Sequence, residues 1–80
     1  MSDLFDQPVS IRLNGGKHTV ATASEAAELL ASVDWPGERG PTHRDAYETC
    51  LKVLDGHRSA VDGRKRFFEV AGQAGVLTSD

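Results

Sequence analysis

Asn14-Gly15, set between two short alternating segments, constrains the fold of this chain more than any other feature. On its N-terminal side Val9, Ile11 and Leu13 alternate with Ser10 and Arg12, the period of a half-buried strand. Asn and Gly both tolerate positive φ, so the dipeptide is a strong hairpin signal. A two-residue turn pairs Ile11 with His18 and Val9 with Val20, and a four-residue loop pairs Leu13 with His18 and Ile11 with Val20. Either keeps His18 and Val20 on the face of Ile11. A three-residue loop would put Lys17 and Thr19 there instead, against the hydrophobic pattern. The hairpin is expected over Val9–Ala21. Two strands are not stable alone in water, so the rest of the chain must cover their apolar face.

That remainder reads as three helices. The first is expected from Glu25 to Asp34, opened by a Thr22/Glu25 capping box with Ser24 as a competing cap, and ended near Trp35 by Pro36. Its apolar side is Ala23, Ala26, Leu30 and Val33, with Glu25 and Glu28 off it. A loop, Pro36 to Pro41, follows. The second helix is expected from His43 to Asp55, with a Thr42/Asp45 capping box, Gly56 closing it, and a stripe of Ala46, Tyr47, Cys50, Val53 and Leu54. The third runs from Ala60 to Ala74 behind the cap Ser59, with Asp62 in its first turn. Ala60, Phe67, Phe68, Ala71 and Ala74 form its stripe. Gly63 and Gly72 weaken it, and an interior Gly often marks close helix packing. Gly75 ends it, Val76 and Leu77 fold back on the core, and residues 1–6 and 78–80 are expected to be flexible. The order is ββααα: one α+β domain over residues 1–80, with helices packed on one face of the hairpin.

Eighty residues bury a marginal core, and three Phe, one Trp and one Tyr supply its large apolar volume. Added burial through self-association is one remedy, and β-edge pairing of the second strand in a homodimer is a candidate route. A net charge of −3 argues against a general nucleic-acid coat. One Cys excludes an internal disulfide and a multi-cysteine zinc site, and fits a reducing cytoplasm. No apolar run approaches the roughly 18 residues a membrane span needs, and the acidic N-terminus lacks a signal pattern. The expected location is the cytoplasm.

The order and spacing of Trp35-Pro36, Gly40-Pro41-Thr42-His43, Ala46, Cys50, Leu54-Asp55-Gly56, Arg64, Phe67 and Ala71 resemble the small bacterial proteins grouped as domain of unknown function 982, found mostly in rhizobia and their relatives. Pro8-Val9, Ala26 and Leu30 fall where that pattern puts them. The resemblance implies a fold and a set of positions to watch. It implies no activity.

His43 and Arg64 stand where composition alone would not put them. His43 continues the stripe of Ala46, Tyr47 and Cys50 and is read as a neutral histidine holding the Trp35–Pro41 loop by a hydrogen bond. The functional alternative joins it to Trp35 and Arg39 in a small pocket. Arg64 lies near the middle of the third helix's stripe, where a bare buried charge would cost several kcal/mol. It therefore needs a partner, either an acid (Glu25, Glu28, Asp34 or Glu48) or a helix-end carbonyl, with its stem over Phe68. The alternative is an anion- or partner-binding Arg at a cleft rim. Trp35, Arg39, His43 and Arg64 are thus the candidate ligand or partner site.

His43, Cys50 and His57 recur every seven residues, but two helical turns rise about 10.5 Å, too far for one metal ion. Arg64, Lys65 and Arg66 point about 100° apart around a helix, so they make no single basic stripe, and nucleic-acid binding is not expected. No phosphate loop, Gly-x-Ser-x-Gly, His-Glu-x-x-His or Cys-x-x-Cys occurs. No enzyme activity, cofactor or metal is expected. The expected role is a non-catalytic interaction or regulatory module with a protein partner; the alternatives are a small-ligand-binding protein with its site near Trp35, Arg39, His43 and Arg64 and, behind it, a nucleic-acid-associated regulator using Arg58 to Arg66.

Overall fold

A computed structural model of the chain describes residues 2–37 and 39–78. The elements are β1 (Leu4–Leu13), β2 (Gly16–Thr22), α1 (Ala23–Ala31), α2 (Pro41–Leu54) and α3 (Ala60–Gln73). This is the expected ββααα order, an α+β arrangement in which the helices cover one face of an antiparallel hairpin.

The turn is the two-residue kind. Asn14 (φ 51) and Gly15 (φ 76) both take positive φ, and Leu13 pairs with Gly16, Ile11 with His18 and Val9 with Val20. That register buries Val9, Ile11, Leu13 and Val20 beneath the helices. His18 shares their face by register but is exposed.

β1 does not start at Val9. It runs back through Pro8 to Leu4, with a register irregularity between Val9 and Leu4. The expected loose start is therefore structured from Leu4 onward, and Phe5 is a core residue. Asp3 is tied down too. Its carbonyl accepts from Ala23 N at 3.0 Å, and its carboxylate accepts from Ser24 N at 3.1 Å. The first turn of a helix has amide groups with no intrahelical partner, and Asp3 serves two of them. Met1, Ser79 and Asp80, included in the flexible ends expected above, lie outside the described residues.

The C-terminal segment folds back as expected, and it lines the free side of β1. Arg12 N donates to Val76 O at 2.8 Å and Thr78 N to Ser10 O at 3.0 Å, around an antiparallel bridge between Ile11 and Leu77. Gly75, at φ 72, makes the reversal from α3.

Each helix departs slightly from its expected bounds. The Thr22/Glu25 cap of α1 forms, with Glu25 N donating to Thr22 Oγ1 at 3.1 Å. α1 stops at Ala31 rather than Asp34, because Ser32 turns extended (ψ 143) and its hydroxyl accepts from Asp34 N at 3.1 Å. Such local side-chain bonds compete with helix. Val33 consequently leaves the stripe and is 94% exposed, while Trp35 enters the core.

α2 begins at Pro41, not His43. Gly40 is its N-cap with no side-chain bond, and the Thr42/Asp45 box does not form. Pro needs no donor at the first helical position and its φ suits it, so it extends the helix two residues back. Leu54, expected in the apolar stripe, is exposed, and Thr49 is buried. α3 is capped as expected, with Asp62 N donating to Ser59 Oγ at 3.2 Å. Its buried face is Gly63, Phe67, Val70 and Ala71, and Phe68 stands 46% exposed beside it.

Candidate functional site

The Trp35–His43 connection is organised around one carbonyl. α1 ends early, so its last carbonyls lack intrahelical donors. Leu30 O receives His43 Nε2 at 2.8 Å and Arg39 Nη1 at 2.8 Å. Arg39 Nη2 also donates to Ser32 O. A carbonyl only accepts, so His43 carries a proton on Nε2. A guanidinium at the C-terminal end of α1 also complements the helix dipole. His43 is held by a hydrogen bond, but the bond ties the start of α2 to the end of α1 rather than reaching into the Trp35–Pro41 loop as expected. Trp35 packs between two rings, its centroid 6.3 Å from His43 and 5.7 Å from Phe67. Beside them opens a recess of about 250 Å³, walled by Trp35, Gly40, Thr42, His43, Val70 and Gln73 among others. Arg39 is not part of its wall.

Arg64 is elsewhere. α3 carries it to β1, where Nε donates to Gln7 O at 2.7 Å and lies 3.9 Å from Asp6 Oδ1. The side chain is 26% exposed, and its guanidinium carbon sits 5.7 Å from the centre of the Phe68 ring. None of Glu25, Glu28, Asp34 or Glu48 is its partner. The reason is the long β1, which brings the carbonyl of Gln7 within reach of α3. Asp6 is mostly exposed at that distance and adds little. The groove around Arg64, about 510 Å³, is bounded by Pro8, Ser10, Phe68 and Leu77. Of the four candidates, the fold thus groups Trp35, Arg39 and His43 and separates Arg64.

A third groove, about 390 Å³, runs between β2 and α1. Its walls are His18, Thr19, Val20, Glu25, Glu28 and Leu29, closed by Ser32. The sequence shows Glu25 and Glu28 off the apolar stripe of α1. It shows His18 on the helix face of β2. The signal that they meet lies in the directness of the β2–α1 junction, where Thr22 ends one element and Ala23 starts the next.

Cys50 is fully buried, and burial pushes its thiol up to about 11. A protonated, enclosed thiol is a poor nucleophile and metal ligand. The basic run near α3 is drawn to acids. Arg58 Nε meets Asp62 at 3.2 Å. Arg66 meets Asp45 at 3.3 Å and Glu69 at 3.6 Å. Among the described residues, no three His, Cys, Asp or Glu side chains are grouped to hold a metal ion. No helix among them is long and apolar enough to cross a membrane.

The family model described as "Protein of unknown function (DUF982)" matches residues 7–78, and the chain belongs to that family. No curated protein and no solved structure matches it.

Proposed function

We propose that this member of the family is a non-catalytic interaction module acting in the cytoplasm. One observation carries the reading: the side chains with the most chemistry are spent on the fold. Arg39 and His43 are held by carbonyls at the end of α1. Arg64 is held by the carbonyl of Gln7, and Cys50 is enclosed with its thiol protonated. What the molecule turns outward is backbone edge and groove. A single buried thiol also suits a reducing compartment.

Native mass spectrometry and affinity capture with the tagged chain test the reading together. A stoichiometric protein partner is expected, retained by the Gln73→Ala variant, which alters the recess beside Trp35 and His43. A small molecule that accompanies the wild-type chain and is lost from Gln73→Ala would overturn it in favour of ligand binding.

A further inference from the structure

Among the described residues, the C-terminal segment lines the outer edge of β1. The N-terminal residues form the start of β1, and Val76–Thr78 pair along its outer edge. Among the described residues, no strand pairs along the outer edge of β2. In a two-residue hairpin the pair flanking the turn is hydrogen-bonded, and pairs alternate from there. Leu13/Gly16, Ile11/His18 and Val9/Val20 therefore point their backbone groups at each other. Lys17, Thr19 and Ala21 point theirs outward. The hydrogen bonds agree with this phase: on β1 it is Arg12 N and Ser10 O that reach the C-terminal segment, and Ala21 N donates to Glu25 Oε1 at 3.1 Å. Thr19 has no hydrogen-bond partner on the outward side among the described residues.

We infer that the outer edge of β2 accepts an extended segment of a partner protein as a third main strand, and that this segment carries basic side chains toward α1. The inference rests on the interaction-module reading. An added strand hydrogen-bonds through Thr19, and its alternate residues, opposite His18 and Val20, lie over the groove beside α1. That groove offers Leu29 and Val20 as an apolar floor and Glu25 and Glu28 as a flank. The carboxylate of Glu25 already holds Ala21 N and Thr22 Oγ1. Glu28 is exposed and makes no hydrogen bond or ion pair among the described residues. The complementary segment has Lys or Arg flanking an apolar residue at alternate positions.

A second copy of this chain fits the edge less well. A two-fold axis perpendicular to a sheet keeps its faces, so β2 paired with its own copy about Thr19 would put both α1 helices on the same side. The acidic flank of each would then approach the acidic flank of the other, and like charges brought together oppose pairing.

The test uses the full chain and two capped peptides, Thr-Lys-Thr-Val-Thr-Lys-Thr and its Glu counterpart, with binding followed by amide shifts and titration at low salt. The Lys peptide is expected to shift Thr19, Val20 and the first turns of α1. Thr19→Pro, which removes an outward N–H rather than a ladder bond, should abolish binding at an unchanged thermal midpoint. Glu28→Lys, a surface change that leaves folding alone, should weaken the Lys peptide by about fivefold and favour the Glu peptide. Absence of shifts at β2 with millimolar Lys peptide would overturn the inference, as would equal binding of both peptides. So would a 17 kDa species in sedimentation that Thr19→Pro dissociates, which would assign the edge to a second copy. A captured partner indifferent to Thr19→Pro would leave the interaction module standing and remove only the edge.

Discussion

Replacing Gly63 and Gly72 by alanine, one at a time, separates helix propensity from helix packing within α3. Both residues lie inside the helix, and each costs about 1 kcal/mol there relative to Ala. Their surroundings differ. A Cβ on Gly72 meets only Leu77 Cδ1, at 3.5 Å, an ordinary contact. Gly72→Ala should keep the propensity gain, about 0.5–1 kcal/mol, or a rise of about 3–6 °C in the midpoint of a domain this size. Gly63 is buried against α2. A Cβ there falls 3.0 Å from Val53 Cγ2, with Cys50 Sγ and Phe5 Cε1 each at 3.9 Å. Val53 is β-branched and essentially limited to one χ1 rotamer in a helix, so its methyl cannot turn aside and α3 must move off α2. Overpacking of this kind costs about 1–3 kcal/mol. Set against the propensity gain, Gly63→Ala should lose about 1 kcal/mol net, near 5 °C. Circular-dichroism melts of the two variants decide it, and Gly63→Ala/Val53→Ala isolates the clash, because the added methyl then costs nothing. A Gly63→Ala midpoint raised as far as that of Gly72→Ala would refute the close approach of α2 and α3.

Arg64→Ala removes the hydrogen bond to Gln7 O and the guanidinium over the Phe68 ring together with the stem that carries it, and should cost about 1 kcal/mol given its partial exposure. Arg64→Met keeps the stem and should cost about half as much; equal losses in thermal midpoint would show that the stem contributes nothing. Cys50 adds a pH dependence of definite sign. Its folded-state value, about 11, lies above the ordinary 9.0, so the unfolded chain gives up its proton first. The thiol's contribution is fully present below about 9 and is lost as pH rises toward 11, an effect of roughly 2 kcal/mol. Urea midpoints should therefore fall more steeply between pH 8.5 and 10.5 in the wild type than in Cys50→Ala, and parallel curves would refute the burial of the thiol.

The parts of this fold legible in the sequence are those decided within a few residues. Asn14-Gly15 set the turn because the two residues themselves supply its positive φ. Thr22 with Glu25 and Ser59 with Asp62 opened α1 and α3 because each cap and the amide it serves are three residues apart. Local signals failed only where two competed. At α2, Pro41 at the first helical position prevailed over a Thr42 cap. At α1, the bond between Ser32 and Asp34 ended the helix before Pro36 could. Phe5 was not legible as core, because the strand that buries it crosses Pro8 and the irregular stretch between Val9 and Leu4.

The candidate site divides along a different line. His43 and Arg64 were legible as groups needing partners, since a donor is displayed by residue type. Their acceptors were not. Both turned out to be backbone carbonyls, of Leu30 and of Gln7, the latter 57 residues from Arg64. Every residue carries a carbonyl, so no residue type announces one. Carboxylates and helix-end carbonyls are the expected acceptors for Arg64, and the oxygen that holds it belongs instead to a strand. The same argument applies to the edge of β2. Its pairing capacity lies in the backbone of Thr19, and the sequence around it shows only the side chains that would select the partner.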